Sequence, residues 1–147
     1  MRTTVLFVAL TVQAGCAHPP TTGAPGAPTP APLAGVPGAV ERVVQAQVEA
    51  YNRRDLDAFV AHFAPDTRLY AFPDSLLYAG RDTLRAVYGA LFARAAGLRA
   101  EVTHRVVQGA YVLDREITRG LPGRGPLTGV AIYEVRDGLI RRVWFVD

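Results

Sequence analysis

Hydrophobic positions at 40, 43, 44, 48 and 51 recur three and four residues apart, with Gln47 inside the same stripe. That spacing predicts a helix over about 40-53 with one apolar face. Asp55 stands where an N-cap belongs, and Leu56, Phe59, Val60 and Phe63 form the buried side of a short second helix. Ala64-Pro65-Asp66 ends it. Residues 67-72 read as a strand, and Pro73-Asp74-Ser75 turns the chain into a second short strand at 76-79. Gly80-Arg81-Asp82 opens a third helix, whose stripe of Leu84, Val87, Tyr88, Leu91, Phe92 and Ala95 runs to Gly97. Beyond Gly97 the period switches to two. Strands are expected at 99-108, 110-118, 127-136 and 139-146, with turns at Gly109-Ala110, over 119-126 and at Asp137-Gly138, the last a favoured hairpin pair. Helices followed by a strand meander give an α+β plan, a curved antiparallel sheet packed on three helices.

The segment before residue 40 has a different pattern. Pro at 19, 20, 25, 28, 30, 32 and 37 alternates with Ala, Gly and Thr, and no acidic residue, Lys or Arg interrupts it. Such a stretch is a linker, extending to a reach of roughly 70 Å in the polyproline conformation. Ahead of it, a positive start at Met1-Arg2, an apolar run over 5-12 and the small pair Ala14-Gly15 precede Cys16. This resembles the bacterial lipoprotein signal, in which the cysteine becomes the lipid-bearing N-terminus. A plain secretory signal cleaved near Ala17 is the alternative. The apolar run is too short for a membrane-spanning helix, which needs roughly 20 residues. Both readings export the protein, and lipidation at Cys16 would hold it on a bacterial membrane facing the periplasm or cell exterior. The chain divides accordingly into a leader at 1-15, the attachment cysteine and linker at 16-38, and one folded domain at 39-147.

Composition narrows the chemistry. Half of the 147 residues are hydrophobic and a fifth are charged, as in ordinary folded domains. The net charge of +3 comes from 16 Arg with no Lys, dispersed so that the longest basic runs are the pairs Arg53-Arg54 and Arg141-Arg142. A polyanion needs a clustered basic face, so no nucleic-acid partner is indicated. Lysine chemistry, from Schiff bases to the P-loop lysine, has no residue to perform it. Cys16 is the only cysteine and cannot form an intrachain disulfide.

Four segments, Tyr51-Asn-Arg-Arg-Asp-Leu-Asp-Ala-Phe59, Phe63-Ala-Pro-Asp66, Gly80-Arg-Asp-Thr-Leu84 and Asp137-Gly-Leu-Ile-Arg-Arg-Val-Trp-Phe-Val-Asp147, stand in an order that resembles the nuclear transport factor 2-like (NTF2-like) superfamily, in its SnoaL-like branch. The resemblance implies a cone-shaped, cystatin-like fold around a pocket, with frequent dimers through the outer sheet face. It does not select an activity, because ketosteroid isomerases, polyketide cyclases, dehydratases, epoxide hydrolases and binding modules share the fold. Carried over from the ketosteroid isomerase pattern, the general-base position falls on Ala71, the oxyanion tyrosine on Gln47 and the protonated aspartate near Ala131. None of the three keeps that chemistry.

The remaining candidates are few. His104 shares a strand face with Val102 and Val106, and is either a core residue or an acid/base of near-neutral pKa. Asp114 and Glu116 share the opposite face with Val112 and Thr118, and a tight turn at Gly109-Ala110 would set Arg105 and Thr103 across from them. They form either a solvated ion pair with Arg105 or, inside the cone, a carboxylate with a raised pKa. Parity lets only one set, His104 or the carboxylates, line the pocket unless a bulge intervenes. Tyr51, Tyr70, Tyr133 and Trp144 are candidate ligand-binding walls or plain core. No histidine pair has metal-ligand spacing, and the sole serine, Ser75, lies in a turn without a nucleophile elbow. No metal or cofactor is expected. Two classes remain: an anchored domain that binds a small hydrophobic ligand or a protein, and a cofactor-independent acid/base enzyme of isomerase, cyclase or dehydratase type. Both faces of the last hairpin are apolar, Val130, Ile132, Ile140, Trp144 and Val146 on one and Ala131, Tyr133, Val135, Val143 and Phe145 on the other, so a homodimer covering one of them is expected.

Overall fold

The computed structural model describes residues 38–146; the leader, Cys16, His18 and the linker through Pro37 lie outside the described residues. Helix α1 (Ala39–Arg53) buries Val44, Gln47, Val48 and Ala50 along the expected stripe. It stops at Arg54, which takes a left-handed conformation at φ 54° and returns its N–H to Ala50 and Tyr51. Asp55 then caps α2 (Leu56–Ala61), accepting from the Ala58 N–H at 3.0 Å.

Strand β1 (Phe63–Ala71) starts four residues earlier than its pattern suggests. Phe63 already pairs with Ile140, and the register shift that follows, before Arg68, accommodates Pro65, which has no N–H to give. Strand β2 (Ser75–Ala79) follows, and α3 (Arg81–Arg94) ends before Gly97 as Ala95 leaves helical geometry. Arg81 anchors the start of α3 by donating from Nε and Nη2 to the Phe63 carbonyl. The meander comprises β3 (Arg99–Gln108), β4 (Tyr111–Arg119), β5 (Leu127–Arg136) and β6 (Leu139–Val146). Asp137 and Gly138 both have positive φ, 53° and 74°, as the tightest hairpin turn demands.

The six strands form one curved sheet in the order β2-β1-β6-β5-β4-β3, with the helices against its inner face. It is mixed rather than antiparallel throughout, because β1 runs parallel to β6. Two one-residue bulges change the expected parities. At Thr103 an extra residue enters β3, so Val102 rather than Thr103 faces Glu116, whereas Arg105 faces Asp114 as the turn requires. At Arg141 another enters β6, which turns Ile140 inward opposite Val135 and removes it from the Trp144 face. The core runs through Val44, Phe59, Phe63, Leu84, Val112 and Ile140.

Candidate functional site

Inner-face residues of the sheet and one side of α1 and α3 enclose a cavity of about 240 Å³. Helix α1 contributes Gln47 and Tyr51, one turn apart on its buried stripe. Tyr51, Phe59, Tyr88 and Phe92 pack ring to ring, with centroids 4.6 to 6.2 Å apart, and Tyr51, Phe59 and Tyr88 wall the cavity on the helical side. Opposite, β4 and β5 present Glu116, Thr118, Ala131 and Tyr133. Leu121 and Leu127 bring the ends of the β4–β5 loop to the lining. Gly120 sets that loop: at φ 75°, a Cβ there would stand 2.1 Å from the Gly97 carbonyl oxygen, so only glycine lets the two backbones meet.

Glu116 is the one carboxylate in the lining. The Tyr133 hydroxyl donates to its Oε1 at 2.9 Å. Burial pushes the Glu116 carboxyl up to about 7; the Tyr133 hydrogen bond and the Arg105 charge oppose the rise, and Asp114 adds to it. A carboxyl in that range gives or takes a proton at neutral pH. Burial also raises Tyr51, Tyr88 and Tyr133, each further disfavoured as a phenolate by the Glu116 charge, so all three stay neutral hydroxyls.

Asp114, two residues earlier on the same strand face, is engaged differently. It is fully buried and bound in a bidentate pair by Arg105, Nε to Oδ1 at 2.7 Å and Nη2 to Oδ2 at 2.6 Å. Arg105 also donates from Nη1 to Gln45 Oε1 at 2.9 Å, fastening α1 to the β3–β4 hairpin. The face is therefore internal and the ion pair forms on it as well, with Asp114 in the lock and Glu116 on the cavity. His104 points the other way, exposed, with Nδ1 3.4 Å from Thr103 Oγ1. Of the aromatic candidates, Tyr51 and Tyr133 line the cavity. Tyr70 does not, because Leu69 takes the inward position on β1; Tyr70 stacks on Trp144 at 5.8 Å on the outer face. Among the described residues no three His, Cys, Asp or Glu side chains gather as metal ligands, and no helix is long and apolar enough to cross a membrane.

A family model described as the SnoaL-like domain matches residues 44–143. The chain belongs to the SnoaL-like family. Among solved structures it is similar to a cystatin-fold protein of Novosphingobium aromaticivorans, at 27% identity and TM-score 0.68, covering 74% of this chain and 97% of that one. It is also similar to a candidate polyketide cyclase of Sinorhizobium meliloti, at 26% identity and TM-score 0.60, covering 71% and 93%. An epoxide hydrolase of M. tuberculosis shares the fold at 22% identity and TM-score 0.61, covering 73% and 82%. A search of curated proteins found no match.

Within this SnoaL-like cavity, Gln47 and Ala131 occupy the lining, while Ala71 does not reach it. Gln47, Tyr88 and Thr118 were not among the sequence candidates. The signal for Gln47 was present, a lone amide inside an apolar helical stripe. Tyr88 carried none, since an aromatic in a stripe reads as core, whereas period-two spacing put Thr118 on the Glu116 face without marking it as a lining residue.

Proposed function

We propose that this SnoaL-like domain is a cofactor-independent acid/base catalyst acting on a small, largely apolar organic molecule, with Glu116 as the proton-transfer group. One observation carries the reading: a carboxyl raised to about 7 lines an aromatic-walled cavity and is held by Tyr133. As the carboxylate it can take a proton from carbon next to a carbonyl, and as the acid it can return one. The neutral phenols of Tyr51 and Tyr88 supply O–H donors for charge that develops on the substrate. The likeness to a candidate polyketide cyclase supports the same class.

Proton exchange tests this directly. With 2-tetralone in D2O, the purified protein should speed exchange of the α-hydrogens, the rate rising with pH through about 7, and Glu116→Gln should cut it by roughly 10²-fold or more. Binding of 2-tetralone without any exchange would instead favour a ligand-holding role, for which the predominantly apolar lining speaks. We also propose, from the residues around Cys16, that the domain is exported and lipid-anchored. In a bacterial host, Cys16→Ala should move the protein from the membrane fraction to the soluble one, and an already soluble wild type would refute anchoring.

A further inference from the structure

Glu116 has two carboxyl oxygens, and the described residues bond to one of them. The Tyr133 hydroxyl donates to Oε1 at 2.9 Å. Oε2 takes no hydrogen bond from the described residues and is open to the cavity that Glu116 lines. Strand register shows what holding Oε1 requires. Glu116 pairs with Gly129, Asp114 with Ala131 and Val112 with Tyr133, so Glu116 and Tyr133 stand four positions apart along the strands, roughly 13 Å. They meet because both side chains lean along the inner face over Ala131, whose single methyl leaves the path clear. Tyr133 is 4% exposed and sits on a strand paired on both sides, with Val112 on β4 and Val143 on β6, so the anchor is itself fixed. Tyr51 from α1 and Tyr88 from α3 feel the Glu116 charge without bonding to it, and Asp114 on β4 and Arg105 on β3 are the other charged groups that act on it.

We infer that Tyr133 is a positioning residue: by holding Oε1 it aims Glu116 so that Oε2 alone exchanges the proton with the substrate carbon. The inference rests on the acid/base reading and adds which oxygen works and what fixes it. As the carbon–hydrogen bond breaks, an Oε2–H bond forms and the electron pair moves to the substrate's carbonyl oxygen; return of a proton from Oε2 to carbon reverses both changes. A proton placed on Oε1 would instead weaken the bond that Tyr133 makes to it, because a neutral acceptor holds a donor less strongly than a charged one.

Exchange of the α-hydrogens of 2-tetralone in D2O, followed against pH for wild type, Tyr133→Phe and Glu116→Gln, tests this. Phenylalanine keeps the ring that walls the cavity and loses only the hydroxyl. Since that hydrogen bond favours the carboxylate, the midpoint of the rate's rise should move upward from about 7 by about one pH unit. On the high-pH plateau kcat should fall about tenfold while KM changes less than about twofold, because aim is lost and binding is not. Midpoint and plateau both unchanged would overturn the inference. So would a raised KM with midpoint and kcat unaltered, which would make Tyr133 a wall and nothing more. A shifted midpoint with an undiminished plateau would overturn it as well, by showing that either oxygen serves once the carboxyl is ionised. Each of these outcomes leaves the acid/base reading standing as long as wild type outpaces Glu116→Gln. Wild-type exchange no faster than that of Glu116→Gln would remove the reading, and the inference with it.

Discussion

At Glu116 the same desolvation that serves chemistry works against stability. Its folded-state carboxyl titrates near 7 against an ordinary 4.5, so between those values the folded protein holds a proton that the unfolded chain has released. Stability contributed by this group is therefore intact below about pH 4.5 and declines as pH rises towards 7. The full shift corresponds to about 3 kcal/mol, and partial solvent exposure reduces it to about 2 kcal/mol. Glu116→Gln keeps an oxygen to accept from Tyr133 and cannot ionise. Denaturant unfolding should find the variant equal to wild type near pH 4 and about 2 kcal/mol more stable at pH 8. A difference that does not change between the two pH values would place the carboxyl in its ordinary range. The pairing of Asp114 and Glu116 on one face was readable from period-two spacing alone. Which of them would be locked in an ion pair and which left on the cavity was not, because that depends on Arg105 reaching one carboxylate and Tyr133 the other.

The β3–β4 hairpin shows how far spacing carries at the level of an element. Its turn at Gly109 and its Arg105-to-Asp114 register follow from strand alternation and a tight connection. The extra residue at Thr103 does not, since one inserted residue leaves no periodic trace yet reverses the face of everything before it. Arg141 acts alike in β6. The parallel pairing of β1 with β6 is invisible for another reason: it joins segments far apart in the chain, and nothing local in either encodes a partner. Helices were legible because their stripes and the Asp55 cap are local. Within the hairpin, the buried Arg105–Asp114 pair predicts a large response: Arg105→Ala leaves a fully buried carboxylate uncompensated and should cost about 3–5 kcal/mol in denaturant unfolding. Replacing Asp114 by Ala as well should recover part of that loss. An Arg105→Ala cost below about 1 kcal/mol would put the pair in the class of solvated surface bridges.

On the outer face of the whole sheet, one residue from each strand aligns in register: Leu76, Tyr70, Trp144, Ile132, Leu113 and Val106. Leu76 and Val106, at the two ends, are 53% and 58% exposed. An apolar row spanning six strands calls for a cover, and a second copy meeting it across a twofold axis is the simplest. Sedimentation should therefore find a dimer for wild type and a monomer for Trp144→Glu; a wild-type monomer at high micromolar concentration would leave the row for another partner. Strand order has a consequence of its own during synthesis. Strand β6 leaves the ribosome last of the six yet stands between β1 and β5. Until it arrives, β1 and β2 are an isolated two-stranded ribbon, too small to be stable in water, and the wall built from Val143 and Phe145 is missing. At about 5–20 residues per second, the nascent chain shows Phe59, Phe63 and Leu69 to the solvent for several seconds before they can be enclosed. Holding chaperones therefore have their longest window on the N-terminal half of the domain, and a slow stretch of codons before Leu139 would lengthen it.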